Sequence, residues 1–510
     1  MNDLILDAGV AASMCVTGVR TAKADYLFNK AQLSEVKLWL YTGQISEILD
    51  RVQNQLPHQA KTNVSEVARQ VFKEFANVCS WLAALSEDVS GLEDSDPIAI
   101  GLIQASSRLG AESLILTDVI SRLERGGPFV DIETAVNRVE SKIAVPFIDL
   151  SSQQDRIRPK LERNLHCVLH HGQYVMGPEI TRLESRLAKY VGSDHCICVS
   201  SGTDALLIAM MSLEISPGDE VITTPFTFFA TVEIITLLGA KPIYVDIDQH
   251  TYTLDPSLVE AAISDRTKAI LPVSLYGQCP DMDRINEIAS SYQIPIIEDA
   301  AQSFGATYKG RKSCNLGQIG CTSFFPAKPL GAYGDAGACF TQDSQLAERI
   351  REIRDHGQSG RYEHVRMGIN GRMDTLQAAV LLAKLDILDE ELNSRAQFAE
   401  MYTVLLKPLE AKELVTLPNL EPHNVSSWAQ YTIEVSERSR VQSSLFEKGI
   451  PTAIHYPEPV YTQVALRESV AHCPVTDRAA KRVLSLPMHP YLSIETQELV
   501  VDSLNQVLQC

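Results

Sequence analysis

Short apolar runs of strand length recur along residues 196–299, at 196–199, 220–224, 242–246, 269–273 and 295–299. Helical patterns lie between them, such as those at 256–263 and 282–289. Apolar strands joined by helical crossovers predict a mainly parallel sheet, buried on both faces. In sheets of that kind ligands bind beyond the strand C-termini. The residues that close each run are therefore the first place to look for chemistry.

At 510 residues the chain is too long for one core. It reads as an α/β module over 1–143, a large α/β domain over 146–390 and a small C-terminal α+β subdomain over 391–510, where long helices and a few strands take over. The first module opens with the apolar strand Leu4-Ile5-Leu6 ending on Asp7 and returns to strand at 113–117. Gly126-Gly127-Pro128 marks a turn near its end, and 140–146 a short linker. A hydrophobic fraction of 45% and a charged fraction of 21% predict a soluble globular protein. The net charge of -19 argues against a general nucleic-acid surface. The 11 cysteines show neither a disulfide framework nor zinc spacing, which predicts reduced thiols and a cytoplasmic location. The N-terminus lacks the pattern of a signal peptide, and no apolar run is long enough to span a bilayer, so no membrane partner is expected.

Three segments end on reactive or anion-binding groups. Lys328 lies in 323–331 among Phe324, Phe325, Pro326 and Pro329, with few charges nearby. A lysine becomes a nucleophile when desolvated or paired, and this setting suits that. Asp299 follows an apolar run, where a buried carboxylate needs a partner. A protonated pyridine nitrogen would satisfy it; capping the next helix is the plainer role. Gln302, one turn on, would reach a ring hydroxyl. Ser200-Ser-Gly-Thr203 offers free backbone N–H groups at a helix start, which favour a phosphate, although an ordinary N-cap uses the same residue types. Phe228, in 225–231, could stack on a cofactor ring or belong to the core. Amine, carboxylate and phosphate cradle together predict a site for pyridoxal phosphate, which would carry the chemistry.

The segments Gly177-Pro178-Glu179, 201–205, 298–302, 323–328 and 370–374 stand in the order found in DegT-type sugar-nucleotide aminotransferases. Over 146–510 the chain resembles that family, within the aspartate-aminotransferase fold (type I) of pyridoxal-phosphate enzymes. The resemblance implies that Lys328 is the Schiff-base lysine, that Asp299 binds the pyridine nitrogen and that Gln302 and Phe228 position the ring. It likewise assigns the phosphate to Gly202, Thr203 and Ser323. Asn370 would reach the phosphate of a neighbouring subunit, so a homodimer with shared active sites is implied. The stretches 272–279, 354–358, 376–379 and 485–491 are similar to the branch acting on UDP-2-acetamido-2-deoxy-3-oxo-glucuronate. In that branch glutamate donates the amino group and the product feeds lipopolysaccharide or other surface-polysaccharide synthesis. His455 and Tyr456 match the sugar-contacting segment; Arg361, Tyr362 and Arg372 are candidates for carboxylate or diphosphate contacts. The chain departs from relatives at Ala327, often serine, and at Glu458, commonly small or apolar, which leaves sugar specificity open. Two half-reactions through one altered cofactor predict ping-pong kinetics.

In the first module Asp7, Glu47, Asp96 and Asp118 could converge at strand ends and hold a divalent metal for phosphodiester hydrolysis. That layout, especially 110–118, resembles a PIN-type domain. It departs from the pattern at Asp7-Ala8-Gly9, and Thr117 and Asp118 are adjacent without an intervening residue. Capping and surface acids on a domain without nuclease activity are the plainer reading. Three rivals to the aminotransferase stand. A sugar dehydratase of the same fold usually carries histidine where Lys328 stands. A metal-dependent ribonuclease using the second module as a scaffold would not need Asp299, Lys328 and Ser323 intact. A regulatory protein sensing a nucleotide sugar would bind cofactor without turnover.

Overall fold

The computed structural model describes residues 145–466 and 471–509, together with the backbone of five short strands before them. The chain divides into two compact units, Met1–Ala144 and Val145–Cys510. In the first, strands β1 (Asn2–Leu6), β2 (Val36–Tyr41), β3 (Cys79–Leu82), β4 (Leu114–Leu116) and β5 (Phe129–Val130) form a parallel sheet in the order β3-β2-β1-β4-β5. The apolar runs read at 4–6 and 113–117 thus become neighbouring strands. Asp7, Glu47, Asp96 and Asp118 lie outside the described residues.

The second unit is built on seven strands: β6 (His195–Val199), β7 (Glu220–Thr223), β8 (Lys241–Tyr244), β9 (Thr267–Leu271), β10 (Ile297–Asp299), β11 (Ile319–Ser323) and β12 (Gly337–Thr341). Ladder pairing gives β8-β7-β9 and β10-β11-β12-β6, and parallel bridges at Ile270/Ile296 and Val273/Asp299 join them. Strands β7 to β11 pair in parallel; β12 runs antiparallel to both neighbours. The sheet is mainly parallel, and the exception has a cause. The chain leaves β11 through a loop at 324–336 and returns directly beside it, with no helical crossover. That loop carries Lys328.

Strand alternation sorts the core. Ile197 and Val199 of β6 pack on one side with helices α3 (Gly202–Ser212) and α6 (Ser344–Arg354), while Cys196 and Cys198 pack on the other with α2 (Pro178–Val191) and α7 (Thr375–Lys384). Both faces are covered, as all-apolar strands require. The sequence run 295–299 begins as strand only at Ile297. Pro295 has no N–H to give a ladder, though its carbonyl accepts from Ile270 N at 3.0 Å. The helical pattern at 256–263 is one α-turn, Pro256–Val259, started by the Asp255 cap, that tightens into the 3₁₀ turn Glu260–Ala262.

The small subdomain centres on the antiparallel strands β13 (Val415–Thr416), β14 (Tyr431–Val435) and β15 (Val483–Leu486). Helices α8 (Leu388–Glu410) and α9 (Ile494–Gln509) bury Tyr402, Leu406, Val500 and Leu504 against them. Val145 joins that same cluster, so the start of the unit folds back onto its end. Among the described residues no helix is long and apolar enough to cross a membrane.

Candidate active site

Asp299 is the last residue of β10 and only 4% exposed. Its carboxylate accepts from Thr231 Oγ1 at 2.8 Å and from the Ala301 N–H at 3.1 Å. Burial pushes its pKa up; the two donors and the nearby Lys328 charge oppose that shift. Neighbouring Glu298 points the other way, where Ser313 Oγ donates to it at 2.7 Å and the Leu316 N–H at 3.3 Å. Alternation along one strand thus sends one acid to the site and the other to pin a loop.

Lys328, on the loop after β11, carries its amine within electrostatic reach of Asp299. Its N–H donates to Phe325 O at 2.8 Å, and Ala332 N to Phe324 O at 2.7 Å, closing a tight turn over buried Phe324 and Leu330. The residue as a whole is only partly buried, yet its amine is desolvated, which lowers its pKa; attraction to Asp299 works against this. A buried carboxylate near a lysine amine of lowered pKa is the kind of arrangement a reactive centre requires.

Gly202 and Thr203, expected to hold a phosphate, open α3. Ser201 caps it in an extended conformation, accepting from Asp204 N at 3.0 Å. A Cβ on Gly202 would lie 2.6 Å from Ser323 Cβ, so only glycine lets the helix start meet the end of β11. Backbone N–H groups of the first turn remain for an anion. Gly202→Ala is expected to spread this contact and weaken cofactor binding at least about tenfold, with the fold retained, as read by titrating cofactor into the cofactor-free protein.

Gln302 accepts the Tyr276 N–H on Oε1 at 2.8 Å and donates from Nε2 to Tyr456 OH at 3.0 Å. Phe228 is 58% exposed, its ring 6.1 Å from that of Tyr456. Burial and the Lys328 charge push the His455 pKa down to about 4. Burial, with the Asp299 charge, raises that of Tyr456. These couplings gather Asp299, Gln302, Lys328, His455, Tyr456 and Phe228 at one place.

The other expected residues sit differently. Asn370 and Arg372 lie on a segment that bridges to Asp355 and Val199, and Gly371 O accepts from Ser200 N at 2.8 Å. Arg372 is ion-paired to Asp355. Arg361 and Tyr362 occupy the tip between strands Gln358–Gly360 and Glu363–His364. There the guanidinium lies 5.3 Å from the centre of the Tyr362 ring, which is 80% exposed. Among the described residues no hydrogen bond or ion pair joins them to the Lys328 centre. Thr231 is a site residue the sequence did not single out, since nothing in its local pattern points to an acid 68 positions away.

The residues present fit pyridoxal phosphate: a buried carboxylate for a ring nitrogen, a desolvated amine and a glycine-dependent anion cradle. No group of three or more His, Cys, Asp or Glu side chains arranged to hold a metal occurs among the described residues.

The family model described as DegT/DnrJ/EryC1/StrS aminotransferase matches residues 155–505. The chain is 55% identical over 360 residues to the UDP-2-acetamido-2-deoxy-3-oxo-D-glucuronate aminotransferase of Pseudomonas aeruginosa, covering 71% of this chain and 99% of that one. A crystal structure of a DegT DnrJ EryC1 StrS aminotransferase from Brucella abortus matches with a TM-score of 0.68 at 41% identity, over 71% of this chain and 99% of its own. NtdA from Bacillus subtilis, solved with bound cofactor PMP, matches with a TM-score of 0.67 at 30% identity, over 81% of this chain and 97% of its own.

Proposed function

The chain belongs to the DegT/DnrJ/EryC1/StrS aminotransferase family, and on that premise we propose that it moves the amino group of glutamate onto the 3-keto carbon of UDP-2-acetamido-2-deoxy-3-oxo-glucuronate, for surface polysaccharide such as lipopolysaccharide. The reaction class follows from the family: the enzyme is a pyridoxal-phosphate-dependent sugar-nucleotide aminotransferase. What supports the named sugar is the high identity across nearly the whole length of the Pseudomonas enzyme. The observation that carries the reading is the Lys328–Asp299 pair at the C-terminal edge of the sheet.

Pyridoxal phosphate, when bound, would carry the amino group from donor to acceptor and draw into its ring the charge that develops at the reacting carbon. Asp299 would keep the ring nitrogen protonated, oriented by Thr231 and the Ala301 N–H. Lys328 would attach the cofactor and, once displaced, would take the proton from the donor's α-carbon and deliver it again at the acceptor. Its depressed pKa leaves more free amine for both tasks. Gly202, Thr203 and Ser323 would hold the phosphate. Phe228 and Gln302 would set the ring plane, and His455 and Tyr456 would face the sugar. Asn370 would complete the phosphate site of the neighbouring subunit in a homodimer. The exposed Arg361 and Tyr362 would then reach a substrate carboxylate or diphosphate only across that subunit boundary. Arg372 would meet an anion by exchanging Asp355 for it.

Glutamate added to the holoenzyme is expected to discharge the long-wavelength absorption of lysine-bound cofactor and release one equivalent of 2-oxoglutarate. The 3-keto sugar nucleotide then restores the band. A band discharged by another amino acid but not by glutamate overturns the donor. Restoration by other keto sugars but not this one overturns the acceptor.

A further inference from the structure

Two threonines stand in line behind Asp299. β7 ends at Thr223, and the chain turns through 224–229 into the helix Ala230–Leu237. Thr227 and Thr231 therefore sit four positions apart across the start of that helix, their hydroxyl oxygens 2.8 Å from each other. Thr231 Oγ1 is in turn 2.8 Å from Asp299 Oδ2. Both threonines are buried, at 2% and 1% exposed, so no bulk water competes for these bonds.

The order of the protons follows from the acid. An ionised carboxylate only accepts, so the single Thr231 proton goes to Oδ2. The Thr231 oxygen then has only lone pairs to offer Thr227, and Thr227 must donate. Among the described residues the Thr227 side chain has no other hydrogen-bond partner, so its proton has no competing acceptor. A hydroxyl that accepts one hydrogen bond donates the next more strongly. Asp299 Oδ1, by contrast, is served by the fixed Ala301 N–H. The turn between the two threonines also carries Phe228, whose carbonyl accepts from Thr231 N at 3.2 Å. One turn thus supports the buried acid and presents the exposed ring expected to lie on the cofactor.

We propose that Thr227 and Thr231 are positioning residues, an ordered pair of hydroxyl donors that keeps Asp299 ionised and so leaves the proton on the ring nitrogen of the cofactor. Thr227 acts wholly through Thr231. Burial works against them by raising the Asp299 pKa; the Thr231 hydroxyl, the Ala301 N–H and the Lys328 charge oppose it. Lys328 would be engaged and freed in every cycle, whereas the hydroxyl pair stays in place throughout. Two more titratable groups lie near, Cys321 opposite Asp299 on β11 and Tyr456, and burial keeps both protonated near neutral pH. The role toward the ring nitrogen rests on the proposed aminotransferase reading; the order of donors behind the ionised acid does not.

The first test needs no cofactor. In the full-length cofactor-free protein carrying ¹³C-aspartate, the Asp299 carboxyl signal is identified by its loss in Asp299→Asn. Its titration midpoint should rise in Thr231→Val and, by a smaller step, in Thr227→Val, both of which keep the side-chain shape and lose the hydroxyl. Thr231→Ser should restore the wild-type midpoint. A midpoint unmoved in Thr227→Val, or lowered in either valine variant, overturns the proposal. In holoenzyme loaded with ring-¹⁵N cofactor, the nitrogen signal should move toward its unprotonated position in the same order. Cofactor affinity should fall roughly tenfold in Thr231→Val and roughly threefold in Thr227→Val. Weaker affinity with the ring nitrogen as protonated as in wild type would mean a packing role alone and would overturn the proposal. A wild-type protein that binds no cofactor would refute the aminotransferase reading, while the carboxyl titration would still decide the hydroxyl pair.

Discussion

Lys328→Ala is expected to bind cofactor and transfer no amino group at a useful rate, with turnover down about 10,000-fold. Two roles are lost together. The cofactor is no longer attached through an amine that a donor can displace, and no base remains to move the proton at the reacting carbon. The absorption of lysine-bound cofactor should vanish and that of the free aldehyde replace it, while glutamate turnover falls to background. A low lysine pKa is not by itself the signature of this role. Lys384 is 1% exposed, its pKa is pushed down to about 8 by burial, and its amine lies 4.3 Å from the centre of the Tyr333 ring. What Lys384 lacks is the Asp299 carboxylate, so Lys384→Met should keep the lysine-bound absorption. If Lys328→Ala kept it, the Schiff-base assignment would be wrong.

Much of this arrangement was legible because it is written in contiguous residues. Runs of strand length, glycine and serine at one helix start, and a lysine among aromatics and prolines are local facts, and each lies where the sheet puts it. The features that were not legible join distant parts of the chain. The antiparallel return of β12 depends on how the 324–336 loop folds, and periodicity is blind to that. Thr231 reaches Asp299 across 68 positions, and Arg372 is already paired to Asp355. The same holds for His455, whose carbonyl accepts from the Tyr276 hydroxyl and whose Nδ1 lies 2.9 Å from Ser485 Oγ. In the first unit two strands were readable as apolar runs, at 4–6 and 113–117, while the strands at 36–41, 79–82 and 129–130 and the order of pairing were not.

Asp299→Asn is expected to act in opposite directions on the cofactor-free and cofactor-bound protein. Burial raises the Asp299 pKa in the folded state. A carboxyl group with a raised folded pKa holds its proton more tightly when folded. Stability is therefore lost as pH rises from about 4, the unfolded value, through the folded pKa, and the loss persists above it. Asparagine carries no charge. Its oxygen can still accept the Ala301 N–H, and its amide can donate to Thr231, which then turns its own proton to Thr227, now 2.8 Å away. The cofactor-free variant should unfold about 2–4 °C above wild type at neutral pH, and the difference should disappear below about pH 4. Cofactor reverses the order. In wild type the pyridinium proton would meet the buried carboxylate; in the variant that pairing would be gone, and cofactor affinity should fall about 100- to 1,000-fold, with turnover falling alongside. Thermal melts with and without cofactor across pH, beside a cofactor titration, test both halves. A cofactor-free variant less stable than wild type at every pH would mean that Asp299 is a structural carboxylate, satisfied by Thr231, Ala301 and Lys328. The crossing of the two curves would instead mark it as a charge buried at a cost to the empty fold and stabilised by the ring nitrogen it is placed to hold.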